Sequence, residues 1–234
     1  MIPIRALIFD LDGLLVDSEP LAARAMADFL RRYGYEPRPE VAAQVLGRRL
    51  PEAIAIVRNA YGLEPPVAEL TRIYGEMRLA ALRGSVRPMP GAADVIAFGR
   101  AARLRLALAT SGQRAHADLS LAESGLAGLC DAEATGDEVE RGKPAPDLFL
   151  LAAERLGVEA PACVVFEDSP LGVAAAVAAG MRAVAVPNQR TRHLSFPVAP
   201  EVVLPDLTAA IAWLRGEGVE PARVGDPLRS LHRS

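Results

Sequence analysis

Two patterns of apolar and polar positions alternate along this chain. Short apolar runs predict buried strands at residues 4–9, 104–109, 131–135, 162–166, 182–186 and 202–204. Between these runs, apolar residues recur at helical spacing and predict helices that end near residue 102 or cover residues 114–124, 147–156, 171–179 and 207–214. Strands that alternate with helices in this way predict an α/β fold, a doubly wound parallel sheet.

The span between the first two predicted strands has a different pattern. Leu21, Ala25 and Phe29 begin a series with helical spacing, and further helices fit residues 41–46, 51–61 and 67–82, with no strand pattern. We therefore expect an all-helical module inserted into the sheet domain. The expected boundaries are residues 1–17 and 88–215 for the sheet domain, residues 18–87 for the insertion and residues 216–234 for a loosely ordered tail.

The first predicted strand ends in two acidic residues. Asp10 and Asp12, in the sequence Asp-Leu-Asp-Gly, lie at its carboxyl end, where open α/β sheets bind ligands. Because residues i and i+2 of a strand point to the same side, one carboxylate can act as nucleophile or metal ligand and the other as general acid or base. Taken alone, the tetrapeptide is better explained as a turn that uses Asp and Gly.

Two further segments combine strand or loop ends with polar side chains. Thr110, Ser111 and Gly112 follow an apolar strand and precede a helix, where hydroxyl and backbone N–H groups suit a phosphate. An ordinary helix N-cap also explains this segment. Lys143 lies between Gly and Pro, which fix its backbone and let it direct an ammonium group at an anion. A solvated loop lysine is the alternative.

A third apolar strand ends in adjacent carboxylates. Glu167 and Asp168 follow residues 163–166 and precede an Ala-rich helix. Acidic residues at a helix start also complement the helix dipole, which is the simpler explanation. Carboxylates from the ends of two strands can instead meet around one hard cation such as Mg²⁺. Four such clusters in one ordered series are difficult to explain as coincidence, so together they predict a site.

The ordered series resembles the four motifs of the haloacid dehalogenase superfamily. The motifs are Asp-Leu-Asp-Gly at 10–13, Ala-Thr-Ser-Gly at 109–112, Gly-Lys-Pro-Ala-Pro-Asp at 142–147 and Phe-Glu-Asp-Ser-Pro-Leu-Gly at 166–172. The resemblance extends over residues 4–214 and is to the phosphatase and β-phosphoglucomutase branch, in which a small helical cap follows the first motif. Within it, the chain is most similar to pseudouridine-5′-phosphatase-like members, then to phosphoglycolate phosphatases and β-phosphoglucomutases.

The resemblance implies roles for the acidic residues. Asp10 would be the nucleophile that forms an aspartyl-phosphate, and Asp12 would be the general acid and then the base. Asp10, the backbone carbonyl of Asp12 and Asp168 would hold Mg²⁺, with Glu167 as a further ligand or as a neighbour that supports the ligands. The implied activity is a Mg²⁺-dependent phosphomonoesterase that acts on a sugar phosphate, a nucleotide-like ester or a phosphoglycolate-like ester.

The remaining motif residues would bind phosphate. Thr110 and the N–H groups of Ser111 and Gly112 would hold the phosphoryl oxygens, and Lys143 would neutralise charge around the nucleophile and the transferring group. Phosphoryl transfer requires mainly positioning and electrostatic stabilisation from a protein, and these residue types provide both.

Two positions depart from the mutase branch. That branch has a His in the first cap helix, where this chain has Ala22, and a cap Arg where this chain has Leu50. Arg48 and Arg49 lie beside that second position and are candidates for substrate specificity, although solvated arginines explain them equally well. A phosphotransfer isomerase of the β-phosphoglucomutase type and a catalytically idle binding protein remain the alternatives to a phosphatase.

Composition agrees with an enzyme of ordinary character. Hydrophobic residues make up 51% of the 234 residues, charged residues make up 24% and the net charge is −3, which gives no reason to expect a nucleic-acid partner. Cys130 and Cys163 are expected to be reduced thiols. The sequence has no signal-peptide pattern and no membrane-spanning run, so we expect a cytoplasmic protein, a monomer or weak dimer, whose partner is a small phosphate ester.

Overall fold

The computed structural model describes residues 2–222. Six parallel strands form one sheet in the order β3-β2-β1-β4-β5-β6. The strands are β1 (Ala6–Phe9), β2 (Arg105–Thr110), β3 (Ala132–Thr135), β4 (Cys163–Glu167), β5 (Arg182–Ala185) and β6 (Val202–Val203). The helices are α1 (Glu19–Arg31), α2 (Pro39–Val45), α3 (Leu50–Tyr61), α4 (Val67–Leu82), α5 (Ala92–Ala101), α6 (Arg114–Ser124), α7 (Asp147–Leu156), α8 (Pro170–Ala178) and α9 (Ala210–Gly216).

The side-chain alternation of the central strand explains the two layers of helices. Leu7 and Phe9 point to one face, where α5, α6 and α9 pack, and Phe9 stacks on Phe166 with ring centroids 5.3 Å apart. Ala6 and Ile8 point to the other face, which α7 and α8 cover. Because both faces of β1 are buried, the strand is apolar throughout.

Helices α1 to α4, which lie between β1 and α5 in the sequence, form a separate hydrophobic cluster. Their apolar faces meet around Phe29, Ile54 and Leu70, all fully buried, and Tyr74 packs edge-on against Phe29. This cluster shares no residue with the two layers that cover the sheet. The module therefore has a core of its own, which it needs in order to keep its shape above the sheet.

The two connections between the helical module and the sheet domain run side by side. Val16 and Pro88 form an isolated antiparallel bridge, and the N–H of Asp17 donates to the carbonyl of Arg87 at 2.9 Å. The N–H of Met89 donates to the carbonyl of Leu15 at 2.8 Å. The two connections therefore hold each other through backbone hydrogen bonds.

The predicted fold class is confirmed, a parallel doubly wound sheet with an inserted helical module. The predicted helix at 207–214 instead begins as a 3₁₀ turn, Leu207–Ala209, because the Asp206 side chain accepts from the N–H of Thr208 at 2.9 Å. The expected loose tail is packed where it is described, since Val219 is buried and the N–H of Ala222 donates to Ala101 at 2.8 Å. Residues 223–234 of that tail lie outside the described residues.

Candidate active site

The sheet register brings the predicted polar clusters to one edge. Phe9 lies beside Leu108 on β2 and beside Phe166 on β4, so the carboxyl ends of three neighbouring strands are level. Asp10 directly follows β1, while Thr110 and Glu167 end β2 and β4. All three side chains are buried at this edge.

Lys143 is the cation of this edge. It reaches in from the loop before α7, is 2% exposed, and its Nζ donates to Asp10 Oδ1 at 2.5 Å and to Glu167 Oε1 at 2.6 Å. Burial opposes the charge, but Asp10 and Glu167 outweigh it and raise the pKa of Lys143 above its ordinary value. The ammonium group therefore stays charged and neutralises two carboxylates.

Glu167 is fully engaged by its neighbours. Its Oε1 accepts from Lys143, and its Oε2 accepts from the backbone N–H of Ser169 at 2.8 Å and from the Ser169 hydroxyl at 3.0 Å. A Cβ at Gly172 would lie 1.7 Å from Glu167 Oε1, so only glycine leaves room for this carboxylate. The structure thus places Glu167 as the anchor of Lys143.

Burial disfavours the ionised forms of Asp10 and Asp168. Burial raises the pKa of Asp10 to about 8, against the effect of Lys143. Burial, followed by the charges of Glu167 and Asp10, raises the pKa of Asp168 well above its ordinary value. Asn188 donates to Asp168 Oδ2 at 2.8 Å and bridges it to the carbonyl of Gly13 at 3.0 Å.

This donor set fits a hard divalent cation. Carboxylate and carbonyl oxygens are the ligands that Mg²⁺ prefers, and a cation would stabilise the ionised carboxylates that burial disfavours. Among residues 2–222, no group of three or more His, Cys, Asp or Glu side chains could hold a metal ion. A cation at this edge would therefore depend on the two carboxylates together with backbone and water oxygens.

Asp12 lies in a different environment from Asp10. Its carboxylate accepts from the Ser18 hydroxyl, His116 Nε2 lies 2.8 Å from Oδ1, and Arg78 Nη2 lies 3.3 Å from Oδ2. Burial opposes ionisation, but His116, Arg78 and Ser18 outweigh it and lower the pKa of Asp12 below its ordinary range. Two carboxylates that lie two residues apart therefore have pKa values shifted in opposite directions.

The segment after β2 is arranged differently from the expectation. Thr110 is buried, and its Oγ1 accepts from the N–H of Gly112 at 3.0 Å, so this N–H already has a partner inside the protein. The Ser111 hydroxyl donates to the carbonyl of Gly47 in the helical module at 2.8 Å. Ser111 thus joins the two parts of the chain, in addition to standing at the predicted phosphate position.

A cavity of about 240 Å³ extends from Asp10 and Asp12 into the helical module. Its walls include Ala22 and Arg48, together with apolar side chains of α1, α2 and α3. Arg49 is not among the residues that line it. Its side chain lies 2.6 Å from Glu52 and donates to the carbonyl of Val139 at 2.8 Å, so it ties the module to the sheet domain.

Comparison with known proteins agrees with this geometry. A family model described as haloacid dehalogenase-like hydrolase matches residues 4–180. The chain belongs to the haloacid dehalogenase-like hydrolases. The fructose-1-phosphate phosphatase YqaB of Escherichia coli (strain K12) is 39% identical over 183 residues, 77% of this chain and 95% of that protein. A probable pseudouridine-5′-phosphatase of Drosophila melanogaster is 36% identical over 202 residues, 84% of this chain and 87% of that protein.

A solved structure extends the comparison to the fold of this haloacid dehalogenase-like hydrolase. The crystal structure of CbbY from Rhodobacter sphaeroides in complex with phosphate matches with a TM-score of 0.78 at 30% identity, covering 87% of this chain and 95% of that one. The resemblance read from the four motifs is therefore confirmed, and the chain is a phosphoric monoester hydrolase. None of the helices in residues 2–222 combines the length and apolar character needed to cross a membrane.

Several residues of the hydrolase site were absent from the sequence prediction. They are Ser18, Glu19, Arg78, His116, Asn188 and Arg190. Glu19 lies 3.7 Å from Arg190 at the cavity, and burial raises its pKa to about 7. Ser18 and Glu19 follow the first motif closely and His116 lies in the first turn after the second, so proximity to a motif is a usable signal for them. Arg78 has no such signal, because it lies on a distant helix of the module.

Proposed function

We propose that this protein is a Mg²⁺-dependent phosphomonoesterase that hydrolyses a small phosphate ester of the sugar-phosphate class through an aspartyl-phosphate on Asp10. The proposal is carried by the pairing of Asp10, which Lys143 contacts at 2.5 Å, with Asp12, which is held separately by His116, at the end of one cavity. The relatives named as fructose-1-phosphate phosphatase and pseudouridine-5′-phosphatase support the substrate class.

In the first step, a carboxylate oxygen of Asp10 attacks phosphorus and the bond between phosphorus and the ester oxygen breaks. Asp12 donates a proton to the departing alcohol. An anionic substrate adds negative charge beside Asp12 and competes for Arg78, and both effects raise the pKa of Asp12 toward the range that a general acid needs. Lys143 lowers the pKa of Asp10 against the effect of burial and so favours the ionised form that attacks phosphorus.

In the second step, Asp12 accepts a proton from water as the water oxygen attacks phosphorus. The bond between phosphorus and the Asp10 oxygen breaks, which releases inorganic phosphate and restores Asp10. Thr110 and Ser111 lie at the end of β2 and would orient the phosphoryl oxygens. Mg²⁺, held by Asp10, Asp168 and the carbonyl of Asp12, would supply positive charge to the phosphoryl group. The positions of these oxygen donors on two adjacent strand ends support this assignment.

The helical module would select the leaving group. Every residue assigned to the chemistry lies outside residues 18–87, whereas the cavity continues into the module. Arg78 is the cation of the module that comes closest to Asp12, at 3.3 Å, and Glu19 and Arg190 stand beside the same cavity. We therefore assign leaving-group contacts to Arg78 in preference to the arginines that the sequence suggested.

Phosphate release from p-nitrophenyl phosphate and from a panel of sugar phosphates, with Mg²⁺ or with EDTA, tests the proposal. We expect Mg²⁺-dependent release, which the Asp10→Asn variant lacks. A pure protein that releases phosphate from no ester would identify a binding member of the family. Conversion of a sugar 1-phosphate to the 6-phosphate without net release would identify a mutase, which Ala22 in the cavity wall argues against.

A further inference from the structure

His116 has an unusual position for a residue that no proposed step uses. It lies in the first turn of α6, is 5% exposed, and its Nε2 is 2.8 Å from Asp12 Oδ1 and 3.0 Å from Asp12 Oδ2. Nη2 of Arg78 also lies 3.2 Å from Nε2, but the distance to Asp12 is shorter. Because an ionised carboxylate can only accept hydrogen bonds, the contact with Asp12 places the ring proton on Nε2. The imidazole therefore donates to the residue proposed as general acid and base.

The ring is held there at a cost to stability. Its other nitrogen, Nδ1, is buried and has no hydrogen-bond partner among residues 2–222. A buried polar atom without a partner destabilises a fold, and an apolar side chain would avoid that penalty. A Cβ at Gly112 would lie 2.7 Å from Cδ2 of His116, so the second motif also leaves space for this ring. Packing alone does not explain a histidine here.

The two oxygens of the Asp12 carboxylate have different neighbours. Ser18 contacts Oδ1 alone, whereas Nε2 of His116 lies within hydrogen-bond distance of both oxygens. Arg78, from α4 of the helical module, faces Oδ2. Because Arg78 belongs to the module and lines the same cavity, Oδ2 is the oxygen of Asp12 on the side of the module.

We propose that His116 is a positioning residue that orients the Asp12 carboxylate for proton transfer to the leaving group. The inference rests on the proposed phosphatase function and adds a residue to it. Misplacing a catalytic group by about 1 Å costs on the order of 10²-fold in rate, so losing the His116 hydrogen bond should cost about 10- to 100-fold where the acid is needed. The loss of this hydrogen bond should change the rate little for an ester whose leaving group departs without a proton.

Two amide variants differ in reach and test this directly. His116→Gln places an amide nitrogen near the position of Nε2, whereas His116→Asn is too short to reach Asp12. The measurement is kcat/KM, which reports the first chemical step, for a sugar phosphate and for p-nitrophenyl phosphate. We expect His116→Asn to lose about 10- to 100-fold on the sugar phosphate and less than about threefold on p-nitrophenyl phosphate, with His116→Gln restoring most of the loss.

The controls separate positioning from folding. Ser120→Ala changes another buried polar residue of α6, whose hydroxyl also has no hydrogen-bond partner in the described part of the chain. This variant should leave the hydrolysis of both esters unchanged. If His116→Asn fails to fold, His116→Leu replaces it in the comparison. Equal losses on both esters, or no loss on either, would overturn the inference while leaving the phosphatase proposal intact. A wild-type protein inactive on every ester would instead remove both.

Discussion

Replacing Lys143 by Met should destabilise the protein as well as inactivate it. Methionine keeps the apolar stem but leaves Asp10 and Glu167, which accept from Nζ at 2.5 and 2.6 Å, without their buried cation. Breaking a buried ion pair by removing one partner costs about 3–5 kcal/mol, because the remaining charge is uncompensated. We expect the free energy of unfolding at pH 7 to fall by that amount.

The deficit should depend on pH with a definite sign. Burial raises the pKa of Asp10 to about 8, so the folded state holds this proton more tightly than the unfolded chain does. Stability from this group is therefore present at low pH and lost as pH rises from about 4 to about 8. Without Lys143 the pKa of Asp10 rises further, so the deficit of the variant should be smaller at pH 5 than at pH 9.

Urea unfolding at pH 5, 7 and 9 completes the test. It compares the wild type with Lys143→Met, with Glu167→Gln and with the double variant that combines the two substitutions. The double variant removes one of the two uncompensated charges, so it should recover part of the stability that Lys143→Met loses, while phosphatase activity stays low. A Lys143→Met protein as stable as the wild type at pH 7, or one equally destabilised at all three pH values, would refute the electrostatic reasoning.

Three further predictions concern the chemistry. Asp10→Asn should abolish phosphate release and the acid-stable mass increase of a phosphoenzyme, and turnover by the pure variant would exclude Asp10 as nucleophile. EDTA should abolish activity and Mg²⁺ should restore it; full activity with Ca²⁺ alone would contradict an in-line site built for a small octahedral cation. Arg78→Ala should lower kcat/KM for a sugar phosphate by about tenfold and change p-nitrophenyl phosphate hydrolysis less, whereas Arg48→Ala should change both little.

The order of strands and motif residues along the chain is enough to predict that the motif residues lie at one edge of the sheet. In a parallel sheet all carboxyl ends lie on one edge, so residues that end or follow neighbouring strands must be close. Asp10, Thr110 and Glu167 satisfy this condition without any knowledge of packing. Lys143 is less constrained, because its loop could point elsewhere, and its burial between two carboxylates is a result that only the structure gives.

The residues around Asp12 could not be predicted in the same way. Whether His116 faces Asp12 depends on the rotation of α6 about its own axis, and a shift of one residue turns a helical side chain by about 100°. Arg78 depends in addition on how the helical module docks on the sheet domain. Neither the rotation of α6 nor the docking of the module is encoded in a local sequence pattern. Motif spacing therefore locates the reacting groups but does not determine the neighbours that set their pKa values.

One compositional signal becomes meaningful only beside the structure. Lys143 is the single lysine in a chain that has 26 lysines and arginines together. Surface positions of this chain use the guanidinium group, which is planar, large and suited to forked contacts, whereas a slot with 1% side-chain exposure between two carboxylates requires a compact ammonium. The Lys143→Arg variant should therefore lose phosphatase activity although arginine keeps the positive charge. Near wild-type turnover by that variant would show that charge alone, and not the shape of the cation, is what this site needs.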